Sequence, residues 1–117
     1  VLKNRYHELL SDLPIIRPHQ SSDGHSALHL YPIQLELEKL NKSHHEIFQE
    51  LRESGLGVNI HYIPVHTQPY YQRMGFQLGD FPNAERYYER ALSIPLYYGL
   101  NDHLQNEVVA TLKKIVQ

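Results

Sequence analysis

The residues best suited to chemistry lie together in one run, from Gly57 to Tyr71. This run contains two His, three Tyr and two Pro, at what its pattern predicts to be the exit of a strand. Strand exits and the loops after them are where ligand-binding groups usually lie. His and Tyr can donate hydrogen bonds to phosphate or to sugar hydroxyl groups. Judged by residue type alone, a Pro-stiffened loop whose aromatic rings fill gaps in the core is the favoured alternative.

Metal binding is a second kind of chemistry to consider, since the chain has nine His. His61 and His66 are five residues apart, and an odd spacing in a strand sends two side chains to opposite faces. His25 and His29 would share an ion only in a helix, but their region is predicted to be loop and strand. None of these pairs has the tight ligand spacing of a zinc site, so we expect no metal.

Nucleophilic catalysis lacks its usual sequence context. The chain has no Cys, which removes disulfides, thiolate nucleophiles and thiolate metal ligands together. No Ser lies in a strand–turn–helix elbow with flanking Gly, and there is no Gly-rich phosphate loop. The sequence therefore predicts no complete active site, and we assign no catalytic, cofactor-binding or metal-binding residue.

Length and charge narrow the choice of protein class. The 117 residues are enough for one domain, and the net charge of −2 comes without a basic stripe, which argues against a nucleic-acid partner. No stretch approaches the roughly 18 apolar residues of a membrane-spanning helix, and nothing near Val1 resembles a signal peptide. We expect a soluble, cytoplasmic protein without a membrane partner.

The first third of the chain predicts one helix followed by two strands. Apolar residues recur at helical spacing over residues 2–12, and Pro14 ends that helix. Ile15 and Ile16 predict a short strand, and residues 27–36 predict a second. Pro32 weakens the second strand or places it at the edge of a sheet, because Pro cannot donate a ladder hydrogen bond.

The rest of the chain alternates helices with strands. Ser43 and Glu46 have the spacing of a capping box, and Gly55 is placed to end the helix that follows. Residues 57–63 alternate as a half-buried strand does, with His61 on the less apolar face. The remaining predicted elements are short helices that begin at Pro69 and Pro82, a strand over residues 93–97 and a last helix capped by Asn101.

Strands interleaved with helices predict an α+β fold, in which a small sheet of about three strands packs against helices. Residues 1–117 are predicted to form a single domain. The first helix has no capping residue, and the chain begins at Val1 without an initiating Met. We therefore expect a fragment of a longer protein, with residues 1–13 forming the end of an interdomain helix.

Three motifs together resemble a known family. Residues 57–71 contain Gly-Val-Asn-Ile-His-Tyr-Ile-Pro-Val-His and Gln-Pro-Tyr-Tyr, residues 79–97 contain Pro-Asn-Ala-Glu and Ser-Ile-Pro-Leu-Tyr, and residues 26–33 contain His-Leu-Tyr. Their order and spacing resemble the C-terminal segment of the DegT/DnrJ/EryC1/StrS aminotransferases. Leu28 stands where that family usually has an aromatic residue. The resemblance is closest to the branch that aminates nucleotide-linked 4-keto sugars on the way to pseudaminic acid.

The resemblance implies the C-terminal small domain of a fold-type-I enzyme, normally a homodimer, whose large N-terminal domain binds pyridoxal 5'-phosphate through a lysine. None of the five Lys here matches that context, so we expect the fragment alone to be inactive and not to bind the cofactor. The parent would transfer an amino group, with glutamate as donor, to a nucleotide-linked 4-keto sugar in surface polysaccharide or glycan biosynthesis. A stand-alone sugar- or nucleotide-binding module, or a structural α+β module, is the alternative.

The resemblance also implies which residues face the substrate. They are His61, Tyr62, His66 and His29, which would line one side of the cleft and hydrogen-bond the sugar or its diphosphate. An excised domain should also expose apolar surface that its missing neighbours would cover. We expect such surface at Tyr6, at Leu9 and in the Tyr-rich loop.

Overall fold

Three short antiparallel strands, in the order β1–β2–β3, form the only sheet of the protein. The computed structural model describes all residues from 1 to 117, and five α-helices surround this sheet. The predicted α+β fold with about three strands is therefore confirmed. The elements are α1 (Leu2–Leu9), β1 (Ile15–Ile16), β2 (Tyr31–Leu35), α2 (His44–Glu53), α3 (Pro69–Arg73), α4 (Pro82–Arg90), β3 (Ala91–Ile94) and α5 (Asp102–Val116), with 3₁₀ turns at Leu37–Lys39 and Val65–Thr67.

The core lies between the sheet and helices α2 and α5. Every second residue of β2 is fully buried, namely Tyr31, Ile33 and Leu35, as expected for a strand with one face on a core. Ile47 and Leu51 of α2 and a stripe along α5 complete a cluster of 18 buried apolar residues. No helix has the length and apolar character needed to cross a bilayer.

Pro32 lies in the central strand, which corrects the expectation of an edge strand. It is opposite Ser93 of β3, but the N–H and C=O of Ser93 both bond to Asn59 on the other side. The pair Pro32–Ser93 therefore exchanges no hydrogen bond. At this position the backbone N–H of any other residue would face β1, but the pairing of β2 with β1 ends at Gln34. Pro32 therefore removes no hydrogen bond from the sheet.

The predicted strand over residues 57–63 is reduced to one bridge, between Asn59 and Ser93. The next bonded positions would pair Gly57 with Pro95, which has no N–H, and His61 with Ala91. Ala91 is engaged elsewhere, because its N–H donates to the last turn of α4 and its carbonyl accepts a bond from His44 Nε2 at 2.9 Å. The ladder cannot extend in either direction, and the chain leaves the sheet.

Helix α2 begins and ends as predicted. Ser43 Oγ accepts the N–H of Glu46 at 3.2 Å, and the Glu46 carboxylate accepts the N–H of Ser43 at 2.7 Å, so both bonds of the capping box are present. These bonds, the one from the backbone N–H of Ser43 above all, lower the pKa of Glu46. Gly55 follows the helix with a φ of +88°, a conformation that favours glycine.

Helix α1 is attached to the domain by two tyrosines. Tyr6 is fully buried, so the expectation that it would be exposed is wrong; its hydroxyl donates to the carbonyl of Pro95 at 2.7 Å. Leu9 is partly buried against the core. Tyr31 contacts His7 Nδ1 through its hydroxyl at 2.6 Å, and burial raises the pKa of Tyr31 to about 12.

Candidate functional site

His61 is held at the edge of the sheet by Ser93. Its Nδ1 lies 2.8 Å from Ser93 Oγ, and the same Ser93 bonds to Asn59 through both backbone groups. Because Ser93 is buried in β3, it offers a fixed partner for the imidazole. The ring of Tyr62 packs edge-on against that of His61, with centroids 4.5 Å apart. The orientation of the imidazole is thus determined from two sides.

His61 lines a cleft of about 850 Å³, within the size range of small-molecule sites. The cleft lies between β3, the loop after α2 and the outer face of α5. Asn59, His61 and Ser93 form a polar edge, while Leu100, Leu104 and Val108 are among its apolar walls. Glu107 is its one carboxylate, and neither Lys nor Arg lines it. Such a surface can hydrogen-bond hydroxyl groups and pack an apolar ring face, but it offers little positive charge.

His29 lies at the border between this cleft and a neighbouring depression of about 730 Å³. The two hollows share His29, Leu96 and Tyr97, and the second is completed by the start of α1. His29 is exposed to solvent. The structure therefore brings His29 and His61 to one cleft.

His66 and Tyr62 do not line the cleft. His66 is 7% exposed and lies edge-on against Phe81, with centroids 4.8 Å apart. Its Nε2 is 3.3 Å from Glu85 Oε2, close enough for a salt bridge if the ring is protonated, yet without hydrogen-bond geometry. The Glu85 carboxylate instead accepts the N–H of Gly79 with both oxygens, at 2.9 and 3.0 Å.

The side chain of Tyr62 is 72% exposed, outside the cleft. Of the four residues that the sequence predicts to face the substrate, the structure thus groups two and separates two. It adds Asn59 and Ser93, which the sequence analysis did not single out as site residues. Asn59 shares the predicted polar face with His61, but the contact to Ser93 spans 32 residues and leaves no local pattern.

The lysines of the chain do not fit pyridoxal phosphate, whose attachment requires an amine inside a cleft. None of the five lines the cleft, although Lys3 lines the neighbouring depression, and Lys114 is exposed to solvent. The other four each contact a polar partner, namely Lys3 with Gln20, Lys39 with Glu36, Lys42 with Glu50 and Lys113 with Asp12. The chain also has no group of three His, Asp or Glu side chains that could hold a metal ion.

Fold and site together define a small α+β domain with a polar-edged cleft that no Lys lines. Comparison with known proteins identifies the domain more closely. Residues 2–113 match the DegT/DnrJ/EryC1/StrS aminotransferase family, and the chain belongs to that family.

Three similar proteins illustrate this relationship. The chain is 37% identical to the spore coat polysaccharide biosynthesis protein SpsC of Bacillus subtilis, over 99% of this chain and 31% of that protein. Spr1654 of Streptococcus pneumoniae, assigned as a sugar aminotransferase, has a similar structure in its PMP form, with a TM-score of 0.86 and 27% identity over 97% of this chain and 29% of that one. PseC of Helicobacter pylori, an aminotransferase involved in the biosynthesis of pseudoaminic acid, shares the fold, with a TM-score of 0.86 and 23% identity over 98% of this chain and 31% of that one. The chain thus spans less than a third of the length of these relatives.

Proposed function

We propose that residues 1–117 are the C-terminal small domain of a longer pyridoxal-phosphate-dependent aminotransferase, with residues 1–13 ending an interdomain helix. The observation that carries this proposal is the family match over residues 2–113 in a chain that spans under a third of its relatives. The parent transfers an amino group to a nucleotide-linked 4-keto sugar in polysaccharide or glycan biosynthesis. The names of SpsC and PseC support that class of pathway.

In this proposal the large domain supplies the cofactor and its lysine, and glutamate is the amino donor. The parent is a cytoplasmic homodimer. Spr1654 has also been solved in a PLP form, which supports the cofactor assignment for the parent. The cofactor provides the carbonyl chemistry of amino transfer, and this chain contributes one wall of the substrate site.

The cleft beside His61 is the part of this chain that contacts the substrate. Because neither Lys nor Arg lines it, its wall suits the hydroxyl groups of the sugar better than the diphosphate. His61 donates or accepts at Nε2, since Nδ1 is bonded to Ser93. His29 contacts the substrate from the cleft border, Tyr62 contacts it from outside the cleft, and His66 acts by holding the shape of the loop.

The test compares the purified 117-residue chain with the full-length protein, each mixed with pyridoxal phosphate. We expect the cofactor-imine absorbance band and amino transfer to a nucleotide-linked keto sugar from the full-length protein only, because no Lys lines the cleft beside His61 and Lys3, at the neighbouring depression, is bonded to Gln20. The imine band with turnover in the short chain would contradict the proposal. The lack of any longer reading frame, with tight sugar binding by the short chain, would instead favour a stand-alone binding module.

A further inference from the structure

An arm of the chain, residues 62–81, lies outside the core. It contains the turn Val65–Thr67 and helix α3, and it connects the Asn59 bridge to α4. None of its residues belongs to the cluster of 18 buried residues or to the partly buried apolar residues packed against that cluster. His66 is its one buried residue. The arm therefore contributes nothing to the core that holds the rest of the domain together.

The arm nevertheless has a defined shape, because its aromatic rings contact one another in series. His66 packs against Phe81 at 4.8 Å between centroids, and Phe81 against Phe76 at 6.1 Å. Phe76 in turn packs against Tyr71 at 6.3 Å, and Tyr71 against Tyr70 at 5.1 Å. Aromatic pairs at such distances are stabilising. The arm is thus held in shape by its own ring contacts, together with the bonds from Gly79 to Glu85 of α4.

The outer surface of the arm is apolar and nearly uncharged. Arg73 and Asp80 are its only residues with a full charge at neutral pH. Eight large apolar side chains of the arm are more than a third exposed, whereas apolar residues on the surface of a soluble monomer are normally scattered singly. One is Tyr62, which the proposed function places against the substrate; the seven left for a protein partner are Ile63, Val65, Tyr70, Met74, Phe76, Leu78 and Phe81.

The whole chain is more extended than a compact protein of its size. A compact protein of 13.7 kDa has about 6,600 Å² of accessible surface. This chain has 7837 Å², and its radius of gyration of 15.6 Å exceeds the roughly 13 Å of a compact domain of this length. The excess, roughly 1,200 Å², lies within the 600–1,500 Å² of typical interdomain interfaces. It is larger than the ~800 Å² that each partner buries in a standard contact between two proteins.

We propose that the arm is the docking surface for the large domain of the same, longer polypeptide, which covers it with an apolar, largely uncharged face. This inference rests on the proposed function for the existence of that polypeptide. Relatives are more than three times as long as this chain, so most of their length is free to supply the occupant.

Oxidation of Met74 tests the proposal directly. Met74 is the only Met of the chain, its side chain is 61% exposed, and it follows α3 in the middle of the arm. Hydrogen peroxide transfers an oxygen atom to the thioether sulfur, which gives the sulfoxide and water. Peptide mass spectrometry would follow this reaction in the dilute 117-residue chain and in the full-length protein. We expect oxidation to be at least about tenfold slower in the full-length protein, because a covered thioether reacts only during opening.

Controls and contrary outcomes separate the possible occupants. Both proteins in denaturant should oxidise Met74 at the same rate, which checks the reagent. Equal rates for the two folded proteins would overturn the proposal. If Met74 of the short chain becomes protected as the concentration rises, the occupant is a second copy of this chain. If the protection of Met74 in the full-length protein vanishes on dilution, the occupant is the other subunit. Either result overturns the proposal.

The imine absorbance and amino transfer are measured on the same full-length sample. A protected Met74 without an imine band would refute the proposed function and leave the docking surface standing. An active enzyme whose Met74 is oxidised as fast as in the short chain would refute the docking surface and leave the proposed function standing.

Discussion

Ser93 makes three hydrogen bonds that together place the polar edge of the cleft. Its backbone N–H and C=O bond to Asn59, and its hydroxyl contacts His61 Nδ1. Because Ser93 is 5% exposed, these groups are shielded from water, and removing one partner leaves the other without an easy replacement. The position of the imidazole therefore depends on a side chain that itself belongs to the sheet.

Ser93→Ala should lower the free energy of unfolding of the chain by about 0.5–1.5 kcal/mol, since it removes one partly buried hydrogen bond. In the proposed full-length enzyme it should raise KM for the sugar substrate, because His61 loses its fixed orientation, while the cofactor absorbance stays unchanged. Urea unfolding and steady-state kinetics measure the two effects. Ser22→Ala is the matched control, since Ser22 is exposed, and its effect should stay within about 0.5 kcal/mol. Equal stability and KM for the two variants would contradict this role of Ser93.

At the scale of residues, the sequence predicts which face of a segment is polar more reliably than it predicts which residues that face contacts. Alternation over residues 57–63 places His61 on the polar face, and His61 does line the cleft. The odd spacing of His61 and His66 would place their side chains on opposite faces only if the strand continued to His66. The chain instead leaves the sheet after the Asn59 bridge. His66 therefore packs against Phe81 in the arm, a contact that no local spacing indicates.

Helix α2 shows how a local capping motif stabilises an element in a pH-dependent way. The backbone N–H and the hydroxyl of Ser43 lower the pKa of Glu46 below its usual value of 4.5. A carboxyl group with a lowered pKa in the folded state adds stability above the unfolded pKa, and this stability is lost as the pH falls through the folded value.

Glu46→Gln should therefore reduce stability more at pH 7 than at pH 3, because the stability that the carboxylate adds is lost progressively as the pH falls through its lowered pKa. Chemical denaturation at the two pH values measures the difference. Glu53→Gln at the other end of α2 is the control, because a negative charge near a helix C-terminus is unfavourable and its removal should not destabilise the chain at pH 7. A stability loss for Glu46→Gln of the same size at both pH values would exclude the capping charge as the cause.

Elements defined by nearby residues were predictable, while those defined by distant partners were not. The capping box of α2 and the Asn101 cap of α5 are local, and both helices begin where the sequence predicts. The fate of residues 57–63 depends on Ala91, whose backbone groups bond to α4 and to His44. Pro32 is acceptable in a central strand only because Ser93 bonds to Asn59. The residues around Pro32 in the sequence do not reveal that contact either.

The whole molecule divides into a core that holds itself together and an arm that adds nothing to it. Leu112 of α5 is fully buried, and Leu112→Ala should lower the free energy of unfolding by about 2–5 kcal/mol, the usual cost of a cavity in a core. Leu78 of the arm is 77% exposed, and Leu78→Gln should change stability by less than about 0.5 kcal/mol. Denaturant unfolding of the 117-residue chain compares the two. A large loss for Leu78→Gln would mean that the arm stabilises the isolated domain.

At this scale the sequence predicts the single α+β domain, because hydrophobic periodicity reports which faces are buried. It does not predict that Tyr6 is buried, since the carbonyl of Pro95 that accepts its hydrogen bond is 89 residues away. The exposure expected for the Tyr-rich loop is confirmed, since Tyr62 and Tyr70 are 72% and 61% exposed. That expectation rests on the family resemblance, because apolar composition alone is the same in a buried and an exposed segment.

The contacts between α1 and α5 set an order of events during synthesis. Arg5 donates to Gln105 Oε1 at 3.1 Å, and Gln105 Nε2 donates to the carbonyl of Leu2 at 2.9 Å, across about 100 residues of sequence. At about 5–20 residues per second, a ribosome needs roughly 5–20 s to make the stretch between them. Throughout that interval α1 lacks its α5 partner and has only early contacts such as those with Tyr31, so a chaperone has several seconds in which to bind its apolar face before α5 emerges and completes the domain.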